Sequence, residues 1–208
     1  MPIALECVFV WLPLVMLAVM FIAGRLRALV MRRRGMRAII VDVRRPLTEQ
    51  LYDTLMIGVV LVWFYLLVAE AWPLSLDWMP DWLTAKIIDS LLVRLVGAAL
   101  VVVAPVLYAA ALVSMGTSWR IGIDQEKPGP LVTAGLFGWT RNPIYTAFDL
   151  AFLGTLLIHG RVISLLLAMT LIVLLHGIIR REERFLEARY GDAFRAYRTR
   201  AGRYWPWG

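Results

Sequence analysis

IYTAFDLAFLGTLLIHGRVISLLLAMTLIVLLHGII, residues 144–179, reads as two apolar runs parted only by His159, Gly160 and Arg161. So short a turn forces the runs Ile144 to Ile158 and Val162 to Ile179 into an antiparallel helical hairpin. A bilayer span takes roughly 20 apolar residues to cross a ~30 Å hydrocarbon core. The second run comes close to that length. The first is short, and either tilts little or stops before the far face.

Three more apolar runs precede the hairpin: Ile3 to Ile22, Leu55 to Ala71 and Ile87 to Met115. The last can cross with tilt, and Pro105 removes a backbone hydrogen bond inside it, which predicts a kink. With 61% apolar residues and a mean hydropathy of +0.72, the chain lies well away from soluble domains, which sit nearer half apolar. The expected fold is therefore all-α. It is a polytopic integral membrane protein of about five transmembrane helices, with a C-terminal helical hairpin and a cytoplasmic amphipathic tail. One membrane domain is expected over residues 1–208. Residues 1–115 hold three spans and a basic loop; residues 116–208 hold a polar loop, the hairpin and the tail.

Charge sets the orientation. Of the 22 Lys and Arg residues, all but Lys86, Arg94 and Arg161 fall in the loop after the first run, the polar loop 114–145 or the tail from Arg180 onward. Basic residues stay on the cytoplasmic side, which predicts the N-terminus outside and the C-terminus in the cytoplasm. Arg94, near the outer end, is expected to snorkel. The cluster Arg25, Arg27, Arg32, Arg33, Arg34, Arg37, Arg44 and Arg45 reads as a topological signal, with contact to anionic lipids as the further option. The link 73–82 carries Asp77, Asp81 and two tryptophans but no basic residue, as an external interface loop would. Glu6 ahead of the first run, and arginines after it, suit a retained helix better than a signal peptide.

Several function classes drop out. Arginines at the ends of apolar runs argue against nucleic acid as a partner. The single Cys7 excludes an intrachain disulfide and a cysteine metal cluster, and two histidines are too few for a histidine-rich site. Neither a G-x-G-x-x-G between strand and helix nor a G-x-x-x-x-G-K is present.

The polar loop leads into the hairpin through Gly129-Pro-Leu-Val-Thr-Ala-Gly-Leu-Phe-Gly-Trp-Thr-Arg-Asn-Pro-Ile-Tyr145. Gly129, Gly135 and Gly138 let the backbone approach a ligand closely. Pro143 suits the first turn of a helix, so Thr140, Arg141 and Asn142 fall at a helix N-terminus, which favours an anionic group. An ordinary interfacial loop with a helix cap accounts for the same composition. At the far end of the hairpin His176, Arg180, Glu183 and Glu187 share one helical stripe. They are either a wet cavity wall or a helix end with i,i+4 pairs. Asp149, inside an apolar run, must be paired, neutral or part of a polar cavity, with Arg141 as the expected partner. His159 is expected to be solvated in the outer turn. Tyr190, Phe194 and Tyr197 alternate with Arg189, Arg195 and Arg198, and Trp205 and Trp207 follow. That tail either lies on the membrane surface or closes over a site.

Leu131-Val132-Thr133-x-Gly135-x-Phe137-x3-Arg141-Asn142-Pro143-x-Tyr145, then Glu182-Glu183-x2-Leu186-x3-Tyr190-Gly191-x2-Phe194-x2-Tyr197, resembles the isoprenylcysteine carboxyl methyltransferase and phospholipid methyltransferase superfamily. The resemblance covers about the last ninety residues, and Ser118 to Asp124 is similar to the bacterial branch. It implies an S-adenosyl-L-methionine-dependent methyltransferase, integral to the membrane and, on the bacterial resemblance, to the inner (plasma) membrane. Membrane lipids surround it, and the methyl acceptor is a lipidic or small apolar amine, thiol or carboxylate. Gly129, Pro130, Leu131, Val132, Phe137, Asn142, Pro143, Ile144, Tyr145 and Glu182 would line the cofactor. Arg141 would brace the turn, and Glu183 or His176 would remove a proton from the acceptor. No metal is implied. Two positions depart from the family pattern. Asn142 stands for its histidine, and Ile178 stands where the prenylcysteine enzymes carry an arginine that addresses the substrate carboxylate. A non-catalytic accessory protein on the same scaffold and a nicotinamide-dependent membrane reductase are the alternatives.

Overall fold

The computed structural model describes residues 3–35, 46–72, 74–116 and 129–205. The expected motif segment Ser118 to Asp124 lies outside them, as do Pro128, Arg37, Arg44, Arg45 and Trp207. Among the described residues the elements are helices and turns: α1 (Ile3–Arg33), α2 (Leu47–Ala71), the short α3 (Asp81–Thr84), α4 (Leu91–Met115), α5 (Pro143–His159), α6 (Val162–Tyr190) and α7 (Asp192–Arg198). A 3-10 turn, Gly135–Gly138, precedes α5.

Helices α1, α2, α4 and α6 are each long and apolar enough to cross a membrane, and α5 is a shorter apolar helix. The protein is a polytopic all-α membrane protein, as its hydropathy predicts. Side chains such as Ile57, Leu92, Val106, Val113 and Val173 stay exposed on the helix surfaces. Apolar contact on that scale calls for lipid rather than water.

Helix lengths correct the expected boundaries. With 31 residues, α1 runs about 46 Å at ~1.5 Å per residue, well beyond a ~30 Å hydrocarbon core. Arg25, Arg27, Arg32 and Arg33 therefore form a helical extension, where a loop was expected after Ile22. In the same way α6, with 29 residues, projects about a third of its ~43 Å length past the core. That projection carries Glu182, Glu183 and Glu187. With 17 residues, α5 is about 25 Å long, so the hairpin has unequal arms.

The turn end of the hairpin is held by backbone and ion pairs. Gly160 caps α5 in the left-handed conformation, φ 62°, and a Cβ there would collide with the Ile88 carbonyl. Gly160 O accepts from Ile87 N at 2.7 Å and Ile88 N at 3.1 Å. Arg161 pairs with Glu70 at 2.6 Å and donates to Thr84 O at 2.7 Å. Two expectations fail at this end. Arg94 does not snorkel: it is buried, grips Glu6 through both terminal nitrogens at 2.9 and 2.7 Å and lies 4.3 Å from the Phe9 ring centroid. His159 is buried rather than solvated, because the link after α3 folds over the hairpin tip.

Two packing surfaces place the hairpin. Trp63, Leu66 and Leu67 of α2 pack with Phe152, Leu156, Leu171 and Leu175 of α5 and α6. On its next face α5 meets α4 through small residues, and a Cβ on Gly97 would lie 2.7 Å from Gly154 O. Close backbone approach of this kind is how helices associate in lipid.

Candidate functional site

The cluster at the end of the hairpin away from its turn begins with Pro143 at the first turn of α5 and Asn142 as its N-cap, without a side-chain cap bond. The chain before it comes in from the 3-10 turn, which Leu136 N ties to Ser114 Oγ at the end of α4, 3.4 Å away. Positions 141 and 142 therefore arrive beside α6, which runs antiparallel to α5.

Glu183 is the hub. Arg141 Nε donates to its Oε1 at 3.0 Å, and Asn142 Nδ2 approaches the same oxygen at 3.4 Å. Arg203 donates to Oε2 from Nε at 3.1 Å and Nη2 at 2.7 Å. A buried carboxylate with both oxygens held by guanidiniums is a bracing element. The tail is sewn to the loop around it. Arg141 N donates to Gly202 O at 2.8 Å, Asn142 Nδ2 to Arg203 O at 3.2 Å and Thr140 Oγ1 to Arg203 O at 3.0 Å. Arg141 also donates to the Ala201 carbonyl. The Glu183 carboxylate holds the Arg203 guanidinium above its ordinary pKa by hydrogen bonding.

Further along, Tyr197 donates to Phe137 O at 2.6 Å and Tyr190 to Gly129 O at 2.5 Å. Leu131 packs against a cluster of Phe194, Tyr197 and Ala201. The tail thus closes over the loop, the second of its two expected dispositions. Burial pushes the Tyr197 phenol up to about 12.

Glu182, about 100° round the helix, is differently placed. Tyr145 donates to its Oε1 at 2.6 Å, and among the described residues no arginine or lysine pairs with it. The adjacent Arg181 turns to α2, with Asp53 at 2.9 Å and Glu49 at 3.6 Å. The two expected segments, 129–145 and 182–183, therefore converge. Val132 and Ile144 are half-buried beside them, and Pro143 is fully buried.

The remaining candidates sit one layer deeper. His176 Nδ1 lies 2.7 Å from Tyr204 Oη, with the rings stacked. They floor an open cleft of about 410 Å³ between α5 and α6, walled by Leu150, Leu153, Ile172 and Val173. Asp149 lines the same cleft. The expected Arg141–Asp149 pair does not form, because Arg141 is drawn to the buried Glu183 instead. Thr140, Arg203 and Tyr204 are the polar partners that the sequence reading did not pick out for these roles. A doubly braced carboxylate needs a second cation, and Arg203, just after the Gly202 that bridges to Thr140, supplies it.

Residues 92–193 match the family model for phospholipid methyltransferase. Over that segment the chain is similar to the isoprenylcysteine and phospholipid methyltransferase superfamily. The matched segment runs from the start of α4 into α7 and holds Arg141, Asn142, Tyr145, Glu182 and Glu183. It stops short of Arg203 and Tyr204, so the tail that completes the cluster lies beyond it. Over 97 residues the chain is 31% identical to the protein-S-isoprenylcysteine O-methyltransferase of Schizosaccharomyces pombe, a match covering 45% of this chain and 41% of that protein. The chain thus spans about two fifths of the length of that curated relative.

Proposed function

We propose that the protein is an S-adenosyl-L-methionine-dependent methyltransferase acting at the cytoplasmic membrane face on a lipidic or small apolar nucleophile: an amine, a thiol or a carboxylate. The contrast between the adjacent glutamates carries this reading. Glu183 is fully engaged by Arg141 and Arg203, whereas among the described residues Glu182 hydrogen-bonds the Tyr145 hydroxyl alone and keeps a carboxylate for an ammonium group.

The residues fit the cofactor's chemistry. Glu182 would hold its ammonium, and the uncapped first turn of α5 after Asn142 would take its carboxylate, since helix N-termini favour anions. Gly129 to Val132 and Phe137, under the tail, would cover the rest. When bound, the cofactor supplies a methyl group on a sulfonium. The protein's part is positioning, which can contribute ~7–11 kcal/mol by proximity alone. Arg141 and Glu183 act as positioning residues that fix the loop against α6. Glu183 is poorly placed as a proton acceptor, because both its oxygens already face guanidiniums; the cleft that His176 lines is open to an acceptor. The basic excess in the loops and tail supports a cytoplasmic C-terminus.

Titrating the purified protein in nanodiscs with S-adenosyl-L-methionine and, separately, NADPH tests this. Saturable binding of the first, and tritium transfer from its methyl group to an extractable amine, thiol or acid, is expected. NADPH binding instead favours the reductase alternative. Cofactor binding with no transfer to any of the three classes favours the accessory alternative.

A further inference from the structure

The cleft between α5 and α6 contains a carboxyl group whose buried oxygen no described residue partners. Asp149 Oδ1 is buried and has no hydrogen-bond partner among the described residues. A carboxylate at membrane depth is costly unless something completes it. Its obvious partner, Arg141, is held by Glu183.

The surroundings define what is missing. Among the described residues Lys and Arg are absent from the cleft lining, whose other polar groups are Thr146, His176, Tyr204 and the indole N–H of Trp205. Burial pushes the Tyr204 phenol above its ordinary pKa, so it stays a neutral hydroxyl. The cleft's polar end is thus a carboxylate, an imidazole and two hydroxyls, a set that attracts a cation and repels an anion. Its walls are aliphatic apart from Trp205, and Val173 is 64% exposed on the α6 surface. The face is the one turned away from α2, whose contacts on the hairpin are Phe152, Leu156, Leu171 and Leu175. Nothing described between α5 and α6 bars a hydrocarbon chain from that side.

We propose that Asp149 is the acceptor-binding carboxylate of this cleft, and that the methyl acceptor is an amine carried on a hydrocarbon chain, not a carboxylate. This rests on the methyltransferase reading above and names the acceptor class for it. An alkylammonium enters with its chain between Leu153 and Val173 and its nitrogen at Asp149. One N–H bond breaks and its electron pair stays on nitrogen as the lone pair; an O–H bond forms on Asp149. Ammonium plus carboxylate becomes free amine plus carboxylic acid, with charge conserved. The free lone pair is what a methyl electrophile requires. The cleft adjoins the candidate cofactor shell directly: Thr146 Oγ1 donates to Asn142 O at 3.0 Å, and Tyr204 follows Arg203.

The test uses the full chain in nanodiscs and two separate readouts. Calorimetric titration with n-dodecylamine and with dodecanoate measures the cleft without cofactor. Titration with S-adenosyl-L-methionine measures the cofactor site. The amine is expected to bind at least tenfold tighter than the acid. Asp149→Asn should remove that preference while leaving cofactor affinity within twofold. Val173→Trp, which fills the cleft from the lipid side, should weaken amine binding without touching Asp149. Tritium transfer to dodecylamine should fall at least a hundredfold in Asp149→Asn. Amine binding indifferent to Asp149→Asn, or transfer to dodecanoate in preference to dodecylamine, overturns the proposal. Asp149-dependent amine binding in a protein that does not bind the cofactor keeps the cleft assignment and removes the methyltransferase reading.

Discussion

Arg141 reaches across 42 residues of sequence to set its Nε 3.0 Å from Glu183 Oε1. Arg203 takes the other carboxylate oxygen from the opposite flank. Loop, hairpin and tail meet at this one carboxylate, so the site has a keystone separable from its ligand contacts.

Glu183→Gln should damage the fold. Removing one partner of a buried ion pair typically costs about 3–5 kcal/mol, because the charge left behind has no counterpart. Thermal unfolding in nanodiscs should show a clear drop in the midpoint, and protease should cut the tail after α6. A variant as stable as the parent, with its tail protected, would remove the keystone role.

Glu182→Gln should do the reverse. The fold and the tail protection should persist, since among the described residues Tyr145 alone hydrogen-bonds Glu182. Affinity for S-adenosyl-L-methionine should fall roughly tenfold to hundredfold, the equivalent of a hydrogen bond to a charged group worth ~1.5–3 kcal/mol. Unchanged affinity by equilibrium dialysis would take Glu182 out of the cofactor shell.

Gly97→Leu and Gly154→Leu should each prevent assembly. Either side chain must enter the space where the α4 and α5 backbones touch, with neighbouring atoms 2.7 Å from the added Cβ. The expected outcome is loss of a monodisperse peak on size exclusion in mild detergent. Gly58→Leu, where an added Cβ meets nothing within 4 Å, is the matched control.

Tail docking should fail at alkaline pH. Tyr197 donates its phenolic proton to Phe137 O, and its pKa is about 12 when docked against ~10 for a free tyrosine. A raised pKa means the protonated form is favoured in the docked state. Its contribution is complete below about pH 10 and is lost as pH rises through about 12. Proteolysis of the tail between pH 9 and 12 should accelerate across that window. Tyr197→Phe should be more labile than the parent at pH 8 and should lose this step.

The hairpin was legible in sequence because a three-residue turn between apolar runs permits one arrangement. The convergence of Asn142 with the Glu182-Glu183 pair followed from it. Less accessible was where α1 stops being membrane: hydropathy ends at Ile22, but arginines are good helix formers and the helix runs on to Arg33. The partners of Arg94 and Arg141 were hidden for another reason. Each is a contest between distant carboxylates, settled by packing that no local pattern records. Glu6 keeps Arg94 from the interface, and Glu183 outcompetes Asp149 for Arg141. The docking of the tail was left open because aromatic and basic residues in alternation suit a membrane surface and a protein surface equally. Which applies depends on backbone carbonyls at Gly129 and Phe137.

The glycine contact between α4 and α5 has a bearing on traffic within the bilayer. Where two backbones touch, no acyl chain can slip between them, so that seam is a closed wall. Molecules drifting in the leaflet must come to the cleft from the opposite flank, past Val173. Whatever neighbour occupies that flank, a lipid or another polypeptide, acts as the doorkeeper.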